Sequence, residues 1–296
     1  MGEIMPATPA DHVCGVELRH RPLEMAFPGQ LPATLHLDAI IQRDIVDRLF
    51  VPAPRYFPTS SADDPFDGPH VTRFVELIRL DDADAALTVL GDLRIQGQTI
   101  GSIYLGILAP AARQLGELWE QDLCTFSDVT LGLWQLHRII REFSPAFCSE
   151  GRSRVSRRPA HIYLTPVPGA QHTFGILLVA EFFRNAGWAV TSGPVARERD
   201  ICAALGGQYY DVVGLSLNCD SDLDDIGACI RTLRRRSRNK TIGVMVGGSC
   251  FEREQDLLAR IGADVFAANA KDAVWMAENF RQSGKWYPSP MITGLR

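Results

Sequence analysis

The chain predicts an α/β protein in which a five-stranded parallel sheet follows a bundle of four helices. Two observations carry this. From Ala160 onward, short apolar runs alternate with helix-patterned ones to give five βα units. Strands that short and that apolar are buried on both faces, as in a parallel sheet with helices on each side. From His70 to about Phe147, by contrast, apolar residues recur only at intervals of three and four, the period of helices that bury one stripe.

Residues 1–68 form a proline-rich, irregular amino-terminal region with one helix over Leu37 to Phe50, where Ile40, Ile41, Ile45, Val46 and Leu49 share a face and Pro52 and Pro54 end it. The run at 58–69 reads as a flexible linker by composition. The bundle, 69–150, starts with a segment carrying Val71, Phe74, Val75 and Ile78, and a second carries Ala85, Leu87, Val89, Leu90 and Leu93. In the third, Ile100, Ile103, Ile107, Ala111, Leu115 and Leu118 fall on one face, and Pro110 predicts a kink. The fourth opens at Thr125-Phe126-Ser127-Asp128, a hydroxyl three residues before an acid, which is a capping box, and continues through Val129, Leu133, Leu136 and Ile140. A polar, basic run at 150–158 reads as a solvated domain boundary.

The α/β domain, 158–284, has predicted strands at His161 to Thr165, Ala189 to Thr191, Asp211 to Asn218, Ile242 to Gly247 and Asp264 to Ala268. Helices near 173–186, 197–205, 222–236, 252–260 and 270–281 separate them, with Ser221 to Asp224 as a second capping box, and 285–296 is a tail. Right-handed crossovers and the unit count favour a flavodoxin-like (Rossmann-like) strand order.

Composition narrows the function. Hydrophobic residues at 46% and charged residues at 22% are those of a globular protein, and a net charge of -5 argues against a general affinity for nucleic acid while leaving room for a local basic patch. The seven cysteines include no C-x-x-C pair, which fits reduced thiols in a cytoplasm. No apolar run approaches the ~20 residues that span a membrane. Neither G-x-G-x-x-G nor a P-loop occurs, so the common nucleotide sites are disfavoured.

Three strand ends carry the candidate chemistry. The first leads into Pro166-Val167-Pro168-Gly169-Ala170-Gln171-His172-Thr173-Phe174-Gly175, the third ends Ser216-Leu217-Asn218, and the fourth ends Gly247-Gly248-Ser249. In the flavodoxin-like order these strands are neighbours, and the carboxyl edge of such a sheet is where ligands bind. Adjacent glycines there admit a flat group close to the backbone. A neutral imidazole is a good ligand for a borderline transition metal.

That spacing resembles the cobalamin-binding domain family, whose pattern is D-x-H-x-x-G, then S-x-L or S-x-T, then G-G. The resemblance implies that His172 is the lower axial ligand to cobalt, with the displaced nucleotide tail running beside Ser216 and Gly247-Gly248; Gln171, Thr173, Phe174, Gly175, Asn218 and Ser249 complete the cofactor-contacting set. Ala170 departs from the pattern, standing where the family has an aspartate that orients the imidazole, a loss that can weaken metal affinity by ~10 to 100-fold. Histidine is an equally good axial ligand for haem iron, the alternative cofactor.

The stretch Leu108-Ala109-Pro110-Ala111-Ala112-Arg113-Gln114-Leu115-Gly116-Glu117-Leu118-Trp119 looks like the helical cap preceding cobalamin-binding modules in methionine-synthase-like proteins and in light-responsive regulators of the CarH type. It implies Trp119 as an upper-face residue, with bundle core as the plain alternative. Where CarH-type regulators place Glu-His, this chain has Val129-Thr130, which leaves His137 as a candidate distal ligand or a core histidine. From about Leu37 to the end, the chain is similar to the AerR/PpaA family of antirepressors, through that helix, the Pro166 to Gly175 stretch and Val244-Met245-Val246-Gly247-Gly248. This implies a cobalamin-dependent (hydroxo- or adenosyl-form), light-responsive coregulator that is not an enzyme, partners a CrtJ/PpsR-type repressor of photosynthesis genes, and does not contact nucleic acid or membrane itself. A corrinoid methyl carrier and a haem-binding sensor of the same fold are the other readings.

Overall fold

This computed structural model describes residues 66, 68–151, 159–168, 173–193, 197–217, 223–248 and 256–287. The helix expected over Leu37 to Phe50, residues 152–158 of the boundary run expected at 150–158, and Ser221 of the second capping box lie outside the described residues; Glu150 and Gly151, where that run is expected to begin, are instead helical. The bundle comprises α1 (Gly68–Arg79), α2 (Ala83–Ile95), α3 (Ile100–Ile103), which passes through a π turn at Tyr104–Leu108 into α4 (Ala109–Glu120), and α5 (Phe126–Gly151). The linker expected over 58–69 is corrected at its end: Phe66 is buried in the bundle core and Gly68-Pro69 already form the first turn of α1, where a proline costs no hydrogen bond. Helix α2 buries Ala86 rather than Ala85, together with Leu90 and Leu93.

Pro110 follows directly on the π turn, in a run of helical backbone that continues from Ile100 to Glu120, so the irregularity expected at the proline is a widened turn. Widening the preceding turn is how a helix relieves the clash of a proline ring with the carbonyl four residues back. Thr125 caps α5 as its spacing predicts: its backbone N–H donates to Asp128 Oδ2 at 2.7 Å and its Oγ1 accepts from Asp128 N at 3.2 Å. Those bonds hold the Asp128 carboxyl below its usual range, the Thr125 backbone N–H being the largest cause. Helix α5 continues through Pro145 to Gly151, with Phe147 anchored in the core.

The sheet holds β1 (His161–Pro166), β2 (Ala189–Ser192), β3 (Val212–Ser216), β4 (Gly243–Gly247) and β5 (Val265–Phe266), all parallel, in the order β2-β1-β3-β4-β5. This is the flavodoxin-like order that the sequence predicts. One face carries α7 (Glu198–Gly207), α8 (Leu223–Arg236) and α9 (Asp256–Ile261); the other carries α6 (Phe174–Asn185) and α10 (Ala270–Ser283).

Helix α6 joins the two parts. Its Ile176, Ala180 and Phe183 pack on the sheet, while Leu178 and Phe182 belong to the core of the bundle. Phe182 meets Phe147 edge-on at 5.0 Å, and Phe147 meets Tyr104 in the same way at 5.0 Å. The bundle is therefore packed directly on the α/β layer.

Candidate functional site

Strand pairing places the predicted residues in one row. Pro166 pairs with Ser216, and Ser216 with Gly247, so the three lie side by side across the carboxyl ends of β1, β3 and β4. One step down the strands the row is Thr165, Leu215 and Val246, and two steps down it is Leu164, Gly214 and Met245. Because side chains alternate between faces, Ser216, Gly247, Gly214 and Met245 share the face that α6 and α10 cover. On that face the carboxyl ends carry Ser216, Gly247 and Ala267, and α10 adds Ala273, while the space at Gly214 is filled by the Leu164 side chain.

The glycines there differ in what surrounds them. A Cβ on Gly175, in the first turn of α6, would meet nothing within 4 Å, and one on Gly247 would meet only the Ala267 carbonyl oxygen at 3.6 Å. Gly248 has φ of 139° and a Cβ there would lie 2.2 Å from the Leu217 carbonyl oxygen, so this position admits no side chain. Leu217 N donates to Gly247 O at 2.8 Å and Val167 N to Ser216 O at 2.9 Å, which ties the three strand ends together. The result is a carboxyl edge at which Gly247 leaves the backbone uncovered next to Ser216.

The bundle supplies a roof. Helices α5 and α6 run side by side in the same direction: the His137 ring lies 5.8 Å from that of Phe174 at the start of α6, and the Asn185 amide at its end donates to Phe147 O. The eleven residues from Phe126 to Leu136 therefore extend about 16 Å beyond the start of α6, at ~1.5 Å per residue. Phe126, Thr130, Leu133 and His137 recur at helical spacing on the side of α5 that meets α6, so the overhanging part of that stripe faces the carboxyl edge of the sheet. Trp119 packs edge-on against Phe126 at 6.4 Å, which places it at the outer end of the same stripe. Of the pair standing where CarH-type regulators have Glu-His, Val129 is in the bundle interior and Thr130 is exposed on the stripe.

His137 is half-buried, and burial followed by the nearby Arg141 charge holds its pKa below the usual histidine value, so the imidazole is neutral at pH 7. It lines a cavity of about 240 Å³ with Ile140, Arg141, Ser144, Leu177 and Glu181. Glu181 is buried there, one oxygen accepting from Arg184 at 2.6 Å.

Gln171, His172, Asn218 and Ser249 lie outside the described residues. Their described neighbours Pro168, Thr173, Leu217 and Gly248 all stand at the carboxyl edge. Thr173 is exposed at the start of α6, and Phe174 is turned toward His137. The structure thus brings together Ser216, Gly247 and Gly248 on the sheet edge, and sets Phe174, next to Gly175, against His137, with Trp119 at the far end of the overhang. Sequence reasoning missed Ala267 and Trp134. Gly214, a glycine inside an apolar strand, marks the close approach of the Leu164 side chain; Trp134 stands next to the stripe and is 54% exposed.

Residues 160–275 match the B12 binding domain family. A relative from Rhodobacter capsulatus, "Uncharacterized 20.5 kDa protein in bchF-crtJ intergenic region", is 25% identical over 155 residues, which are 52% of this chain and 79% of that protein. Among solved structures, the Methanosarcina barkeri monomethylamine corrinoid protein superposes with a TM-score of 0.58 at 14% identity, covering 71% of this chain and 98% of that one. At that identity the likeness is one of fold, and it extends over helices and sheet together. The uncovered Gly247 backbone beside Ser216 fits a nucleotide tail, which needs a side-chain-free wall with a hydroxyl next to it.

Proposed function

We propose, from the premise that residues 160–275 are a B12 binding domain, that this protein is a cobalamin-dependent coregulator acting through contact with a repressor. The observation that supports it best is the Pro166-Ser216-Gly247 row at the carboxyl edge of the sheet, with the Gly247 backbone left uncovered. In this reading His172 would hold the cobalt, and Ser216, Gly247 and Gly248 would border the nucleotide tail. Trp119, Phe126, Thr130 and Leu133 would cover the cofactor from the bundle side. Bound cobalamin would supply a light-sensitive cobalt centre. The part played by the protein is positional, since α5 carries the covering stripe on one side and exposed Leu131 and Trp134 on the next, so a change under the stripe alters the surface shown to a partner. With Leu80 and Leu123 these residues give the bundle an apolar end of the kind protein partners bury.

The relative encoded beside crtJ supports a regulator over an enzyme. A corrinoid methyl carrier is the second reading, supported by the name of the fold neighbour. Hydroxocobalamin added to the purified full chain, followed by gel filtration, should leave corrin absorbance on the protein. In His172→Ala that spectrum should be lost or return to a tail-on form; retention of an unchanged spectrum would overturn the ligand assignment. A pull-down against a CrtJ/PpsR-type repressor in light and dark separates the two readings, because a methyl carrier retains cobalamin and does not hold the repressor.

A further inference from the structure

The opposite edge of the sheet carries a second feature. At the end of α8 and in the segment after it, Arg231, Arg235, Arg236, Arg238 and Lys240 are all exposed, in a chain whose net charge is -5. Arg234, in their midst, is structural: it donates to Ile242 O at 2.9 Å, Gly262 O at 3.1 Å and Asp264 Oδ1 at 2.8 Å. The four exposed arginines make no ion pair among the described residues, and the acids of α7 and α8 (Glu198, Asp200, Asp224 and Asp225) sit in the first turns, at the other end of each helix. Favourable interaction with the helix dipole accounts for cations in the last turn only. It does not account for Arg231 a turn earlier, or for Arg238 and Lys240 beyond the helix.

The segment is held firmly. Arg238 N donates to Leu205 O at 2.8 Å, the Asn239 amide donates to Tyr210 O at 2.9 Å, and Lys240 Nζ donates to Arg235 O at 2.9 Å. These bonds set the cations beside the end of α7 and the start of β3, where Tyr209 is 48% exposed and Gln208 reaches His161 Nδ1 at 3.2 Å. Arg235, Arg236 and Arg238 lie within four successive positions at the end of α8 and just after it, and the Arg231 guanidinium turns back beside Gly227. Tyr209 is the one large exposed apolar side chain here among the described residues, so the surface lacks the apolar centre a protein interface needs and has the cations with an aromatic face that nucleic acids favour.

We propose that this edge binds the phosphate backbone of a nucleic acid, without reading its sequence, on the side of the sheet away from the carboxyl edge. The full chain is titrated against a fluorescein-labelled duplex of about 20 base pairs of arbitrary sequence and against a single strand of the same length, read by anisotropy between about 50 and 200 mM salt. Three to five phosphate contacts give a log–log salt slope of about −3 to −4.5, a loss of roughly a hundredfold over that range. The triple variant Arg235→Gln, Arg236→Gln, Arg238→Gln should bind at least about tenfold more weakly at the lowest salt and lower the slope by about 2.7, with its Tm unchanged. His172→Ala should bind the duplex like the parent, which keeps this inference separate from the cobalamin reading. No binding at about 50 mM salt, or a triple variant with the parental slope, would overturn the proposal. Equal competition by polyglutamate of matched charge would overturn it in favour of an acidic protein. Preference for the single strand would assign Tyr209 to base stacking and sharpen it.

Discussion

The two sides of α6 treat volume in opposite ways. Toward the bundle, glycines exist to be covered: a Cβ on Gly101 would meet Phe147 at 3.4 Å and Phe182 at 3.5 Å, and one on Gly132 would meet Leu115 at 2.7 Å. Tyr104 is fully buried there, its hydroxyl donating to Ile140 O at 3.1 Å and its pKa driven far up by burial. Toward the sheet edge, Gly175 and Gly247 are left bare. Protein interiors pack to the density of organic crystals, so a wall that stays open next to a filled one marks space kept for something else.

Breaking the filled side should cost most. Phe182→Ala removes the ring shared by bundle and α6 and should lower stability by about 3–5 kcal/mol in denaturant unfolding; a loss under ~1 kcal/mol would mean that bundle and sheet do not share a core. Gly248→Ala comes next, at about 2–3 kcal/mol, because it forces a Cβ into the Leu217 carbonyl at a φ that L-residues rarely adopt. Gly247→Ala sharpens the contrast. The added Cβ meets only an ordinary contact with the Ala267 carbonyl oxygen, so stability should change by less than ~1 kcal/mol, yet cobalamin retained after gel filtration should fall at least about tenfold. Gly132→Val in the bundle, where Leu115 already fills the space, should reverse that pattern, losing stability and keeping the cofactor among molecules that remain folded.

The same contrast explains what could be read in advance. Ser216 and Gly247-Gly248 were legible because polar and side-chain-free residues at apolar strand ends have few structural uses. Their membership of one row with Pro166 was not, since it depends on register, which only strand pairing fixes. The buried face of α2 was misjudged because Ala85, Ala86, Leu87, Val89 and Leu90 surround much of that helix, leaving period alone a poor guide. The persistence of α5 through Pro145 follows from tertiary anchoring of Phe147 and the Asn185 contact, which no local signal reports. The α5 overhang needed the pairing of His137 with Phe174, two residues 37 positions apart in the chain.

Smaller effects test the roof itself. Thr125→Ala removes the cap of α5 and should cost about 1 kcal/mol, loosening the overhang more than the bundle core; hydrogen exchange of the first turn of α5 is the readout, and Ser at this position should restore protection.

The smallest effect is the pH dependence of His137. Burial and Arg141 depress its folded pKa, so below the unfolded value of 6.5 the unfolded chain binds a proton that the folded chain resists. Its contribution is therefore complete above about pH 6.5 and declines as the pH falls toward the folded pKa. His137→Leu should flatten that part of the stability profile, measured by urea midpoints across the range. The groups facing the imidazole are Arg141, Ser144 and Glu181 around the cavity and Phe174 from α6, so Arg141→Gln should leave part of the depression, because burial is its larger cause. If cobalamin protects His137 from protonation, the loaded protein should show the flat profile without any substitution, placing this histidine in the cofactor's surroundings; an unchanged slope on loading assigns it to the seam between α5 and α6.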